Sequence, residues 1–227
     1  MIIAIGGGEI ATGETRKIDE FIVSCAKKEQ PRLLFIPTAS MDAPGYIETV
    51  KSVYSSLGCV VDALCLYTET ITDEEIKTKI STADIIYVGG GNTLRMMETW
   101  KKYHVDKYLI DAYKKGKVLS GLSAGAICWF KKGHSDSLFF ENPDNTEFIF
   151  VEGLGLVPYI VCPHYDEEER KSFDDMIKTQ ELDGIALEAT TALVYDNQEY
   201  KIIRANHNYH AYLFKEGKKI LLECIDL

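Results

Sequence analysis

The residues most able to do chemistry stand at Gly121-Leu122-Ser123-Ala124-Gly125. This is a G-x-S-x-G pattern between an expected buried strand, Val118 to Leu122, and a helix-forming stretch. A serine on such a strand-to-helix turn projects its hydroxyl above a sheet, and flanking glycines leave room for the turn and for a substrate. The amides that follow lie at a helix N-terminus, where they can stabilise an oxyanion. Ser123 is therefore the candidate nucleophile, and Ala124 a candidate backbone donor. Val88-Gly89-Gly90-Gly91-Asn92-Thr93 ends the preceding strand, so the amides of Gly90 and Gly91 should share the same sheet edge and supply a second donor.

A serine nucleophile needs a base. Among five histidines, His104 lies in an exposed helical segment, His134 in a polar loop, and His207 and His210 beside a late turn. His164 alone follows an apolar strand, Tyr159 to Pro163, and precedes a helix, which puts it at an edge of the core facing a site. The base needs a carboxylate to hold its tautomer. Glu188, closing the run Gly184-Ile185-Ala186-Leu187, is the candidate; Asp166 is the competitor, with a helix N-cap as its simpler role.

The elements that must position these groups follow a βα rhythm. Strands are expected at Ile2 to Ile5, Leu33 to Ile36, Cys59 to Leu66, Ile85 to Val88 and Val118 to Leu122. Helical segments lie between them: Glu14 to Lys28, Pro44 to Leu57, Asp73 to Ile80, and Asn92 to Lys115 with a break near His104. Strands joined by helix-length crossovers imply a mostly parallel sheet covered on both faces, with ligands at the carboxyl ends of its strands. Past Lys132 shorter strands appear, interrupted by one helix at about Asp166 to Lys178. One α/β domain spanning 1–227 is expected.

The N-terminal Gly6-Gly7-Gly8-Glu9-Ile10-Ala11 imitates a dinucleotide turn, but the second strand runs into Pro37-Thr38 where an acid should bind a ribose. Glu14 occupies the lysine position of a phosphate loop and would repel a phosphate. A tight turn or close packing explains the glycines better. With 25 Lys and Arg against 35 Asp and Glu, the net charge of −10 disfavours nucleic acid as a partner. The six cysteines show no C-x-x-C pair and no zinc spacing, so no metal is expected. Without an export signal or membrane segment at the N-terminus, a cytoplasmic location with no membrane partner is expected.

Taken together, Val88 to Thr93, Gly121 to Ala126, Cys162-Pro163-His164-Tyr165 and Gly184 to Glu188 resemble, in order and over nearly the whole chain, the dipeptidase E and cyanophycinase family of serine peptidases, peptidase family S51. The resemblance implies a three-layer α/β sandwich with a mostly parallel central sheet, like that of class I glutamine amidotransferases. It implies Ser123, His164 and Glu188 as the triad, backbone donors at Gly90 or Gly91 and Ala124, no cofactor, and a small peptide as substrate, aspartyl peptides among the possibilities. Asn92 and Arg170 are candidates for substrate binding. The segment between His164 and Arg170 is shorter than expected for a dipeptidase E, and a solvated helix position is the simpler reading of Arg170. The chain is expected to act as a monomer or homodimer.

Two other readings remain. An α/β-hydrolase esterase would use the order serine, acid, histidine, with Asp196 followed by His207 or His210. A non-catalytic member of the fold would bind a small ligand in the same crevice.

Overall fold

The computed structural model describes residues 1–227. In chain order the first half contains β1 (Ile2–Ile5), α1 (Arg16–Cys25), β2 (Arg32–Ile36), α2 (Pro44–Ser56), β3 (Val60–Ala63), α3 (Asp73–Thr82), β4 (Ile85–Val88), α4 (Thr93–Lys102), α5 (Val105–Lys114) and β5 (Val118–Leu122). The second half contains α6 (Ala124–Ile127), β6 (Phe130–Ser135), α7 (Ser137–Glu141), β7 (Ile149–Glu152), β8 (Val157–Cys162), α8 (Phe173–Met176), β9 (Gly184–Leu187), β10 (Thr191–Asp196), β11 (Glu199–Arg204), β12 (Ala211–Lys215), β13 (Lys218–Leu221) and β14 (Cys224–Asp226).

The first sheet has eight strands in the order β14-β11-β10-β1-β5-β4-β2-β3. Its run from β1 to β3 is parallel, and β10 closes against β1 antiparallel. Strands covered on both faces read as unbroken apolar runs. Every residue of β1 and β4 is accordingly buried. Alternate side chains enter different cores: Ile3, Ile5, Leu33 and Phe35 pack with Ile18, Ile22, Val50 and Tyr54 of α1 and α2. Ile2, Ala4, Leu34 and Ile36 pack on the other face with Ile76, Ile80, Met96 and Trp100 of α3 and α4. A sheet between two covering layers is the α/β arrangement the βα rhythm predicts. The break between α4 and α5 falls at His104, whose φ of 57° ends one helix and starts the next.

The C-terminal half forms the shorter strands expected past Lys132, and they are mixed in direction. A second sheet of six strands, β13-β12-β9-β8-β6-β7, packs against the α3 and α4 side, with Val157, Val161, Ile185 and Leu187 entering the same core as Trp100. Only its β6-β8-β9 centre is parallel. The stretch after Ser123, read from the sequence as helical, turns after the four residues of α6 into β6. His134, expected in a polar loop, is instead a fully buried residue of β6, its ring stacked on Phe148 with centroids 4.5 Å apart. The helix expected over Asp166 to Lys178 is broken into a 3₁₀ turn at Glu168–Ser172, α8, and a second 3₁₀ turn at Ile177–Thr179. Asp166 caps none of these; its carboxylate accepts the Ala189 amide at 2.7 Å and ties the turn after His164 to the residue following Glu188. No helix is long and apolar enough to cross a membrane.

Candidate active site

The carboxyl ends of β1, β4 and β5 meet at one edge, because Ile5 pairs with Leu122 and Val88 with Gly121. The chain leaves β5 through Ser123 with φ 57° and ψ −112°, a conformation that a non-glycine residue adopts only at a cost of roughly 1–3 kcal/mol. The surroundings enforce it. The Ser123 amide is bonded to the Ile5 carbonyl at 3.1 Å, so the turn is fastened to β1. The glycines on either side are sterically required: a Cβ on Gly121 would lie 2.3 Å from the Gly125 carbonyl oxygen, and one on Gly125 2.1 Å from that of Val88. α6 is thus pressed directly onto the ends of β4 and β5.

Ser123 and His164 line one cleft of about 460 Å³, together with Gly8, Glu9, Ile10, Gly45, Tyr46, Thr49, Gly90 and Leu122. His164 is fixed by a φ of 55° and by its amide, which bonds the Gly6 carbonyl at 2.9 Å. The N-terminal glycines therefore build the site, by the close packing expected of them. A Cβ on Gly7 would stand 2.8 Å from Nδ1 of His164, and one on Gly6 2.5 Å from the Glu188 carbonyl oxygen. Gly8, at φ 110°, takes a left-handed turn that suits glycine, and Gly8, Glu9 and Ile10 line the cleft. No hydrogen bond joins Ser123 Oγ to the imidazole; such contacts often tighten only around a substrate.

Burial, followed by the Arg170 charge, holds the His164 imidazole below its ordinary pKa, while Glu167, Asp166 and Asp136 push the other way. The carboxylate nearest the ring is that of Glu167, with Oε1 3.4 Å from Nδ1. Glu188, expected in this place, has its carboxylate on the His210 amide at 2.8 Å, while its own amide donates to the His210 carbonyl. Its backbone still runs beside the base, since Leu187 accepts the Tyr165 amide.

Of the amides expected to act as donors, those of Ala124 and Gly91 have no acceptor within the chain, and that of Gly90 donates to Tyr46 Oη at 3.3 Å. Gly91 has φ 135° and lies against the Ala39 carbonyl, where a Cβ would come within 2.2 Å. No group of three or more His, Cys, Asp and Glu side chains is placed to hold a metal ion.

Residues 2–203 match the family model described as peptidase family S51. The chain belongs to this family. It is 36% identical over 202 residues to the uncharacterized peptidase YgaJ of Bacillus subtilis, covering 87% of this chain and 84% of that one. It is 28% identical over 221 residues to peptidase E of a Nostoc species, with 90% and 82% covered. A crystal structure of a peptidase from an acI-B1 Actinobacterium superposes with a TM-score of 0.73 at 17% identity, over 98% of this chain and 93% of the other, which is a likeness of fold. S51 membership makes the chain a peptidase of the serine-hydrolase class.

In this S51 chain both residues expected to bind substrate are buried and engaged within the chain. Asn92 is 1% exposed and caps α4: its Oδ1 accepts the Arg95 amide, and its Nδ2 donates to Glu141 and to the Ser137 carbonyl. An S/T/D/N residue before a helix start is a capping signal legible in the sequence. Arg170 is neither solvated nor free. It is 4% exposed, paired with Asp136 at 3.0 Å, bonded to the His134 carbonyl and stacked over Phe148, with Nε 3.6 Å from Glu167. The esterase order also fails: Asp196 lies beside the N-terminal amine of Met1, at the opposite end of β1 from Ser123, roughly 13 Å away by strand length. Sequence reasoning missed Gly7, Glu167 and Tyr46: Gly7 and Tyr46 reach the site through contacts between segments far apart in the chain, and Glu167 reaches His164 through the tight turn that follows it.

Proposed function

We propose that this S51 peptidase hydrolyses short peptides with a free amino terminus through an acyl-enzyme on Ser123. The observation that carries the reading is the strained Ser123 turn opening into the cleft that also holds His164. His164 Nε2 takes the proton of Ser123 Oγ as oxygen attacks the scissile carbonyl, and the carbonyl π electrons move to its oxygen. Backbone amides at Ala124 and Gly91 receive that charge. The imidazolium then protonates the leaving amine, and water repeats the sequence on the ester. Because the imidazole is held below its ordinary pKa, it remains a competent base into mildly acidic solution.

Two carboxylates can orient the base. Glu167 is against Nδ1 here, whereas Glu188, the acid implied by the family likeness, would have to leave the His210 amide. For the substrate, Glu9 is the one acidic or basic side chain other than His164 lining the cleft, and Arg170 is already neutralised by Asp136 and Glu167. An aspartyl side chain would find no free cation, whereas an ammonium group would find Glu9. Neutral or basic amino-terminal residues are therefore favoured over aspartate.

The test is hydrolysis of free-amino dipeptides, β-aspartyl peptides and amino-terminally blocked controls by the wild type and Ser123→Ala. Cleavage of unblocked, non-aspartyl members that falls by about 10³- to 10⁶-fold in the variant supports the reading. Cleavage unaffected by the substitution removes Ser123 from the mechanism, and a marked preference for aspartyl members overturns the charge argument.

A further inference from the structure

Two polar side chains of the cleft, Tyr46 and Thr49, have no use in the mechanism above, and the Thr49 hydroxyl is donated to the Gly45 carbonyl. Tyr46 stands in the first turn of α2, started by Pro44 at a position where the missing amide costs nothing. Its ring is locked between two parts of the parallel sheet. It meets Phe35 of β2 edge-on, with centroids 5.1 Å apart, and covers Gly89 so closely that a Cβ there would lie 2.8 Å from Cε1. The hydroxyl is thereby delivered to the glycine turn after β4, where it accepts the Gly90 amide at 3.3 Å. Gly90 in turn abuts the nucleophile, since a Cβ on it would be 3.4 Å from Cβ of Ser123. The Tyr46 proton is donated to no acceptor in the chain, and the residue lines the same cleft as Ser123 and His164.

A hydroxyl that accepts from an amide becomes a better donor of its own proton, because successive hydrogen bonds polarise one another. We propose that Tyr46 is a further catalytic residue of this chain: its O–H donates to the substrate carbonyl oxygen as that oxygen becomes an oxyanion, and relays the Gly90 amide to it. The assignment rests on Ser123 as nucleophile. It changes the expected role of Gly90 from direct donor to the donor behind Tyr46, leaving the direct backbone contacts to Gly91 and Ala124. The proton stays on the phenol, whose pKa burial pushes up to about 12, so Tyr46 contributes a hydrogen bond and not an acid. Substrate and nucleophile exchange the bonds already described: Oγ–C forms, the C=O π pair moves to oxygen, and the Oγ proton goes to His164.

Tyr46→Phe keeps the ring on Phe35 and Gly89 and removes only the hydroxyl. The experiment follows labelling of Ser123 by an organophosphonate, whose P=O oxygen takes the oxyanion position, in wild type, Tyr46→Phe and Ser123→Ala, with thermal midpoints for all three. With a cleaved peptide from the panel, kcat and KM are measured as well. Loss of one oxyanion donor costs about 10²-fold or more in kcat. The expected result is a drop of that order in both labelling rate and kcat, with KM within about threefold and an unchanged midpoint. A purely structural role would instead lower the midpoint or raise KM. Labelling of Tyr46→Phe at the wild-type rate or faster overturns the role of Tyr46 and leaves Ser123 standing. Failure of wild type to label at Ser123 overturns both.

Discussion

Replacing Gly7 by alanine tests whether the N-terminal glycines exist to seat the base. The backbone at Gly7 lies outside the left-handed region, so alanine brings no conformational strain and the effect reduces to one methyl group. That methyl would stand 2.8 Å from Nδ1 and 3.0 Å from Cε1 of His164, against about 3.5 Å for comfortable non-bonded contact. The imidazole must therefore retreat by roughly 0.7 Å. Its side chain is 24% exposed, so it has room to move outward without disturbing the core. A displacement near 1 Å of a reacting group costs about 10²-fold in rate. Gly7→Ala should thus lower kcat by roughly 10- to 100-fold, slow organophosphonate labelling of Ser123 comparably, and leave the thermal midpoint near wild type. Peptide turnover, labelling kinetics and calorimetry on the same preparations provide the check. Turnover and labelling within twofold of wild type, or a rate loss accompanied by unfolding, would refute the idea that the ring yields and the fold does not.

Other consequences concern the acids around the base and the buried histidine. Glu167→Gln should lower kcat and move the acidic limb of kcat/KM further down, because Glu167 raises the His164 pKa, while Glu188→Gln should leave that limb in place. The opposite pattern in pH-rate profiles would assign the orienting role to Glu188. Burial, followed by the Arg170 charge, lowers the pKa of His134 from 6.5 to about 3, so below pH 6.5 the unfolded chain takes up a proton that the native state refuses, and stability falls as pH falls. Between pH 7 and 5 this amounts to about 2 kcal/mol, so the stability gap between wild type and His134→Gln should narrow by that amount in urea denaturation at the two pH values. Asp19, lifted by burial to about 6, titrates with the opposite sign in both proteins and cancels in the difference. A gap independent of pH would show that His134 is not held neutral.

Much of this architecture is legible in the chain because its determinants are local. Ile2 to Ile5 and Ile85 to Val88 read as buried strands because both faces of a parallel sheet are covered, and both form over those residues. The break at His104 and the start of α2 at Pro44 follow from backbone chemistry that neighbours cannot easily override. Ser123 is conspicuous for a similar reason, since only flanking glycines let a helix close directly onto the strand ends. Residues after Ile127 were harder to read. Phe130 to Ser135 reads Phe-Lys-Lys-Gly-His-Ser, a mostly polar run with neither helical nor strand periodicity, and its place in a second sheet is decided by Val151, Val157 and Val161 arriving from later in the chain. Side-chain partners were the least legible of all. Arg170 reads as a helix-surface cation, but the turn that follows His164 folds it inward onto Asp136 and Phe148. The sequence by itself determined the α/β class, the Ser123 turn and the strand ends that carry it, because spacing and backbone preference act over a few residues. Only the tertiary structure decided that Gly7 seats the His164 ring and that Tyr46 reaches Gly90, because those contacts join segments whose proximity no local preference encodes; it also decided that Glu167 meets His164, because the chain turns tightly after His164 while the Glu188 carboxylate is held on the His210 amide.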